Sequence, residues 1–193
     1  MAIREKVFIP NEIYFITFSI LEWKKVFISD KYCNLIYKWF DYIRQNYGNK
    51  IYGYVIMPNH IHCLLYITDK SPELSKLIQN AKRFLAYQIV ALLEEEISAS
   101  ESLAEILTQQ ELLNFFKQHA EIKKRAKHKV FADRYDSKII QTQEMFLEKL
   151  NYIHNNPCQE KWQLADEPED YKHSSAANYV YDKGVYDVDI VDF

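Results

Sequence analysis

Residues 51–67, IYGYVIMPNHIHCLLYI, limit the possible folds more than any other stretch of this chain. Two runs rich in β-branched and aromatic residues flank Pro58-Asn59, a pair suited to a tight turn, so the segment reads as a β-hairpin. Alternate side chains of a strand share a face. His60 and His62 therefore project together, while Ile61, Cys63 and Leu65 point to the other side, toward a core.

The flanking sequence supplies layers for such a hairpin. IYFITFSI (13–20) reads as a strand. After Ser29-Asp30, a capping pair, apolar residues at 32, 35, 36, 39, 40 and 43 follow helical spacing up to Gly48. Pro72 opens a second helix through about Glu95, with Leu74, Leu77, Ile78, Ala81, Leu85, Ile89 and Leu92 on one face. Residues 94–125 read as further, more polar helix and are taken as an insertion. HKVFADRYDSKII contains another strand. TQEMFLEKLNYIHNN is a short helix capped by Thr142 and stopped by Pro157, with Phe146, Leu147, Leu150 and Ile153 as its buried stripe. The order strand, helix, strand, strand, helix, strand predicts an α+β fold. We expect a ferredoxin-like split βαβ antiparallel sheet with helices on one face. One domain over 1–193 is expected, with residues 158–193 as a C-terminal extension.

Composition removes several function classes. Only three glycines occur, so the Gly-rich loops of P-loop and Rossmann proteins have no material. Cys33, Cys63 and Cys158 are odd in number and far apart, which fits neither a disulfide framework nor a cysteine zinc site and predicts a reducing compartment. No apolar leader or membrane-length run is evident, so the expectation is a soluble cytoplasmic protein with no membrane partner, nucleoid-associated when bound to DNA. The net charge of −3 is unevenly spread. Residues 117–138 carry eight Lys/Arg against three Asp/Glu, and residues 164–193 carry eight Asp/Glu against two lysines. A local basic stripe can bind phosphates even when the average is acidic. Lys76, Lys82 and Arg83 on the long helix, with Lys123, Lys124, Arg125, Lys127 and Lys129 near Phe131 and Tyr135, are the candidate DNA contacts.

Two imidazoles on one strand face are spaced to hold one divalent ion. A His-x-His pair at a sheet rim is also an ordinary polar pair, so the helix ending at Pro157 matters more. Off its apolar stripe, Tyr152 and Asn156 stand one turn apart on a common polar face. The Asn156 amide oxygen could complete a His-His-Asn metal site and place the Tyr152 hydroxyl one helical turn from the ion. His154 points to a different side of the helix, where a core hydrogen bond suits it better than ligation.

YVIMPNHIHCLL followed by YIHNNP resembles the single-tyrosine HUH transposases, specifically the REP-associated tyrosine transposases of the insertion-sequence-200/605 type. YFITFSI, AKRF and YKHSSAANYV are similar to the same branch, and residues 94–125 are least like it. The resemblance implies that His60 and His62 are metal ligands around Ile61, that Tyr152 is the nucleophile, and that Asn156 is the third ligand where related transposases use glutamine. It implies a single-stranded DNA substrate with an imperfect hairpin, cut beside its foot to leave a 5′-phosphotyrosine link and a free 3′-hydroxyl. The ion would be magnesium or manganese. Imidazole is a less usual ligand for magnesium, and manganese is comfortable with it. A tyrosine hydroxyl in water ionises near pH 10, so its attack at neutral pH needs help. A homodimer is compatible with the resemblance, with the site built within one chain or between two.

Two other readings compete. A histidine-triad-like nucleotide hydrolase would want a third histidine at position 64, which is Leu64. A non-catalytic nucleic-acid-binding module on the same fold would bind DNA or RNA without depending on Tyr152 or metal.

Overall fold

The computed structural model describes residues 8–120 and 126–191. Strands β1 (Glu12–Ser19), β2 (Lys50–Met57), β3 (His60–Ile67) and β4 (Asp136–Ile140) form one antiparallel sheet in the order β2-β3-β1-β4. Helix α1 (Asp30–Tyr47) follows β1 and α2 (Leu74–Ala99) follows β3, which completes the expected split βαβ arrangement. All six apolar positions that marked α1 in the sequence are buried. Gly48 ends the helix in the left-handed region, at φ 69°, where its N–H reaches the Arg44 carbonyl.

Helices α1 and α2 cover the sheet face that presents Tyr14, Ile16, Phe18, Ile61, Cys63 and Leu65. The expectation of helices on one face holds for this pair. In the region read as an insertion, α2 continues unbroken to Ala99, and α3 (Leu103–Gln118) starts after Ser102, whose side chain accepts a hydrogen bond from the Glu105 N–H. The helix buries Leu113 and Phe116 in the main core, so the insertion is part of the domain's packing.

A further helix, α4 (Gln143–Asn155), lies on the opposite face, beyond the one-sided helical layer. Its Phe146, Leu150 and Ile153 meet Tyr52, Val55, Met57 and Leu64. Leu147, expected in that stripe, is instead 45% exposed. A helix lying on a sheet touches it along a narrow line, and each residue turns the side chain by about 100°, which carries position 147 off the line. The sheet approaches α4 closely at Gly53, where an added Cβ would stand 2.7 Å from Leu150 Cδ1. Gly53→Ala is therefore expected to destabilise the fold by about 1–3 kcal/mol through overpacking, read as a lowered Tm. An unchanged Tm would show that Leu150 can move aside freely.

The C-terminal segment runs along the outer edge of β2. The Ile56 N–H donates to the His173 carbonyl, the Ser175 N–H to the Tyr54 carbonyl and the Asp189 N–H to the Ile51 carbonyl. The Tyr171 and Tyr179 hydroxyls donate to the Ile56 and Tyr52 carbonyls. α5 (Ala176–Tyr181) sits within this segment. An exposed strand edge is a template for unwanted pairing, and the extension covers it. Part of its acidic charge is used structurally, since Asp189 pairs with Arg44 at 2.8 Å. The three cysteines form no disulfide. Among the described residues no helix is long and apolar enough to cross a membrane.

Candidate active site

Strand β3 places His60 and His62 on the face that α4 covers, with ring centroids 4.7 Å apart and both side chains about 5% exposed. The β1 register sets Thr17 opposite His62, and Thr17 Oγ1 lies 2.6 Å from His62 Nδ1. His60 Nδ1 donates to Asn59 Oδ1 at 2.7 Å. A partner on Nδ1 fixes the ring and leaves Nε2 as the free ligand atom. His62 Nε2 is buried without any hydrogen-bond partner. Burial, with the positive Lys161 adding to it, pulls His60 down to about 4. Burial, then His60, then Lys161 pull His62 down to about 3. Both imidazoles are thus neutral at pH 7, the form that binds metal.

Tyr152, on the last turns of α4, is 40% exposed. Its ring lies 5.1 Å from that of His62 and 5.9 Å from that of Phe15, near-perpendicular to both. Lys149 Nζ stands 5.9 Å from the Tyr152 ring centroid and pairs with Glu148 at 2.7 Å. The helix and the histidines belong to one chain, so the tyrosine and the candidate ligands meet without a second copy.

Asn156 departs from its expected setting. It is the C-cap of α4 and only 1% exposed, rather than on an open polar face with Tyr152. Neither its Oδ1 nor its Nδ2 has a hydrogen-bond partner. A buried amide with no partner is costly, and this one sits one helical turn from the tyrosine that packs on His62. Among the described residues no cluster of three His, Cys, Asp or Glu could hold a metal. Two imidazole nitrogens and an amide oxygen are donors whose chemistry suits a divalent ion of the manganese class.

His154 makes the core hydrogen bond expected of it, its Nε2 lying 2.9 Å from Ser175 Oγ. The same Ser175 oxygen accepts from the Tyr54 N–H, which ties α4 to β2. Burial pulls His154 down to about 4. In the unfolded chain these three histidines titrate near 6.5, so between about pH 6.5 and 4 the unfolded state binds more protons. Stability should therefore be complete above that window and fall by a few kcal/mol as pH drops through it. Metal-free melts at pH 7.5 and 4.5 check this, and equal Tm values would contradict buried neutral imidazoles.

Four of the cations proposed for DNA line one groove of about 550 Å³ between α2 and the 129–135 loop, namely Lys76, Lys82, Arg83 and Lys129. The Lys82 ammonium, however, is spent on the loop itself, donating to the carbonyls of Ala132, Asp133 and Arg134. Lys129 pairs with Asp133 at 2.8 Å. Arg83 and Lys127 are exposed, and Lys123, Lys124 and Arg125 lie outside the described residues. Sequence reasoning missed Thr17 and Asn59, which orient the rings, Lys161, which brings positive charge to them, and Lys149, which stands beside the Tyr152 ring. Thr17 was legible only through strand register, and Lys161 only through the turn that brings it back to the histidines.

The site thus sets paired histidines on β3, an inner strand of a ferredoxin-like sheet, under a helix that carries a tyrosine. Over residues 12–102, which span β1 to α2 and include His60 and His62, the chain matches the model of the family described as Transposase IS200 like. Tyr152 and Asn156 lie beyond the matched residues. The fold is shared with a solved REP-associated tyrosine transposase bound to a REP hairpin, at 15% identity and TM-score 0.62, covering 100% of this chain and 95% of that one. A candidate transposase from Deinococcus radiodurans R1 aligns at 13% identity and TM-score 0.46, covering 80% of this chain and 97% of that one. No curated protein matches the sequence.

Proposed function

We propose that this transposase cuts and rejoins single-stranded DNA beside a hairpin through a 5′-phosphotyrosine intermediate, with a divalent metal ion held by His60, His62 and Asn156. The observation that carries the reading is the 5.1 Å approach of the Tyr152 ring to His62 within one chain. The hairpin bound by the REP-associated transposase of the same fold supports the substrate class.

Tyr152 Oη attacks the scissile phosphorus, a P–Oη bond replaces the P–O3′ bond, and the 3′ oxygen leaves as a hydroxyl carrying the proton the phenol gives up. Bond types are conserved, so a 3′-hydroxyl can reverse the step and rejoin strands. When bound, the ion would polarise a phosphoryl oxygen as a Lewis acid. His60 and His62 stay neutral and oriented by Asn59 and Thr17. The packing of Phe15 and His62 holds the tyrosine ring, while its exposure lets a strand reach the hydroxyl. Lys149 and Lys161 bring positive charge to the phosphate's approach. Manganese is the more comfortable ion for imidazole, and magnesium the alternative.

The test is incubation of the protein with a labelled pool of single-stranded hairpins and manganese, followed by denaturing electrophoresis. A metal-dependent labelled band at protein size is expected. Hairpin binding that is indifferent to metal, with no such band from any hairpin, would instead make the chain a binding module.

A further inference from the structure

Trp23 lies at the rim of the candidate active site with its indole 59% exposed, an unusual setting for the largest apolar side chain. Its backbone is equally unusual. Glu22 and Trp23 both sit in the left-handed region, at φ 48° and 57°, where residues other than glycine are strained. Consecutive strained residues persist only where the surroundings hold them, and they gather at functional sites. Here the surroundings are the site itself. The Asn59 side chain donates from Nδ2 to the Trp23 carbonyl at 3.1 Å and accepts from His60 Nδ1 at 2.7 Å. One carboxamide thus sets both the ring of a candidate metal ligand and the turn that carries the tryptophan.

The indole and the His60 ring are 5.6 Å apart and inclined at 73°. Among the described residues this is the ring contact Trp23 makes, and no aromatic ring stacks parallel on it. Lys24 and Lys25 follow directly in the chain and are exposed. An open aromatic face beside adjacent cations is the pattern by which proteins hold single strands, the ring taking a base and the cations its phosphates.

We infer that Trp23 stacks an unpaired base of the DNA strand next to the scissile phosphate and so sets which nucleotide is presented to Tyr152. The inference rests on the single-strand reading above and adds to it the residue that positions the flanking strand. Trp23 is a positioning residue that grips the substrate away from the reacting atoms. Its strained turn is kept for the placement of the indole.

The experiment measures equilibrium binding in the Tyr152→Phe background, which separates affinity from cutting. The probe is the tightest-binding hairpin of the pool, offered bare, with single-stranded flanks, and with an abasic nucleotide at successive flank positions. Trp23→Ala should lose about tenfold or more in affinity for the flanked hairpin, the worth of one stacked base, and nothing for the bare one. Trp23→Phe should keep most of the affinity. An abasic nucleotide at one position should reproduce the loss in the parent protein and add nothing in Trp23→Ala. Trp23→Gly, free of the left-handed strain, should melt at or above the parent Tm yet bind as poorly as Trp23→Ala. Equal affinity of Trp23→Ala for the flanked hairpin, in a protein whose Tyr152 form still makes the covalent band, overturns this inference alone. Absence of both binding and band in the wild type overturns the single-strand reading and this inference with it.

Discussion

Tyr152→Phe protein is expected to give no covalent DNA band under conditions where the wild type gives one, while binding the same hairpin to within about twofold. The substitution removes one oxygen from a side chain that is 40% exposed, so no buried partner is stranded and stability should shift by no more than about 0.5 kcal/mol. Phenylalanine keeps the ring contacts with His62 and Phe15. The loss would therefore report on the nucleophile and not on folding. A band that persists would falsify the assignment of Tyr152, and peptide mapping of the adduct would then identify the residue that bears the phosphate.

The second large effect concerns the ligands. Manganese at about a hundred times its Kd should stabilise the wild type by about 2.7 kcal/mol, a rise of several degrees in Tm. His62→Gln should abolish both that rise and the covalent band. It should also lower metal-free stability by about 1–3 kcal/mol, because a buried hydrogen-bonded ring is lost. Asn156→Ala offers a sharper contrast. The wild-type amide is buried with neither polar atom paired, so its removal relieves about as much as the small cavity costs. The metal-free Tm should hardly move, and the manganese rise should vanish. A full manganese rise in Asn156→Ala would remove that residue from the ligand set and leave the two histidines with another donor.

What could be read from the residue order follows from periodicity. Period-two alternation in HIHCLLYI set both histidines on one face, and the helical spacing from Tyr32 to Ile43 marked α1's buried side, because these periods are properties of the backbone. The same logic failed at Leu147, because how much of a helix is covered depends on the shape of what covers it. It failed for Lys82 as well. A lysine off the apolar stripe reads as a free cation, yet three loop carbonyls some fifty residues away take its hydrogens.

The chemistry divides in the same way. Local sequence carried the identities of His60, His62, Tyr152 and Asn156, since each sits in a short motif whose spacing is set by one strand or one helix. Bringing Tyr152 against His62 required α4 to cross to the second face of the sheet, where Gly53 allows it close and Ser175 holds His154. The neutrality of the imidazoles, the unpaired amide of Asn156 and the placement of Trp23 beside His60 come from burial and from contacts between segments far apart in the chain. Burial and long-range contact belong to no single segment, and they exist only once the whole chain has folded.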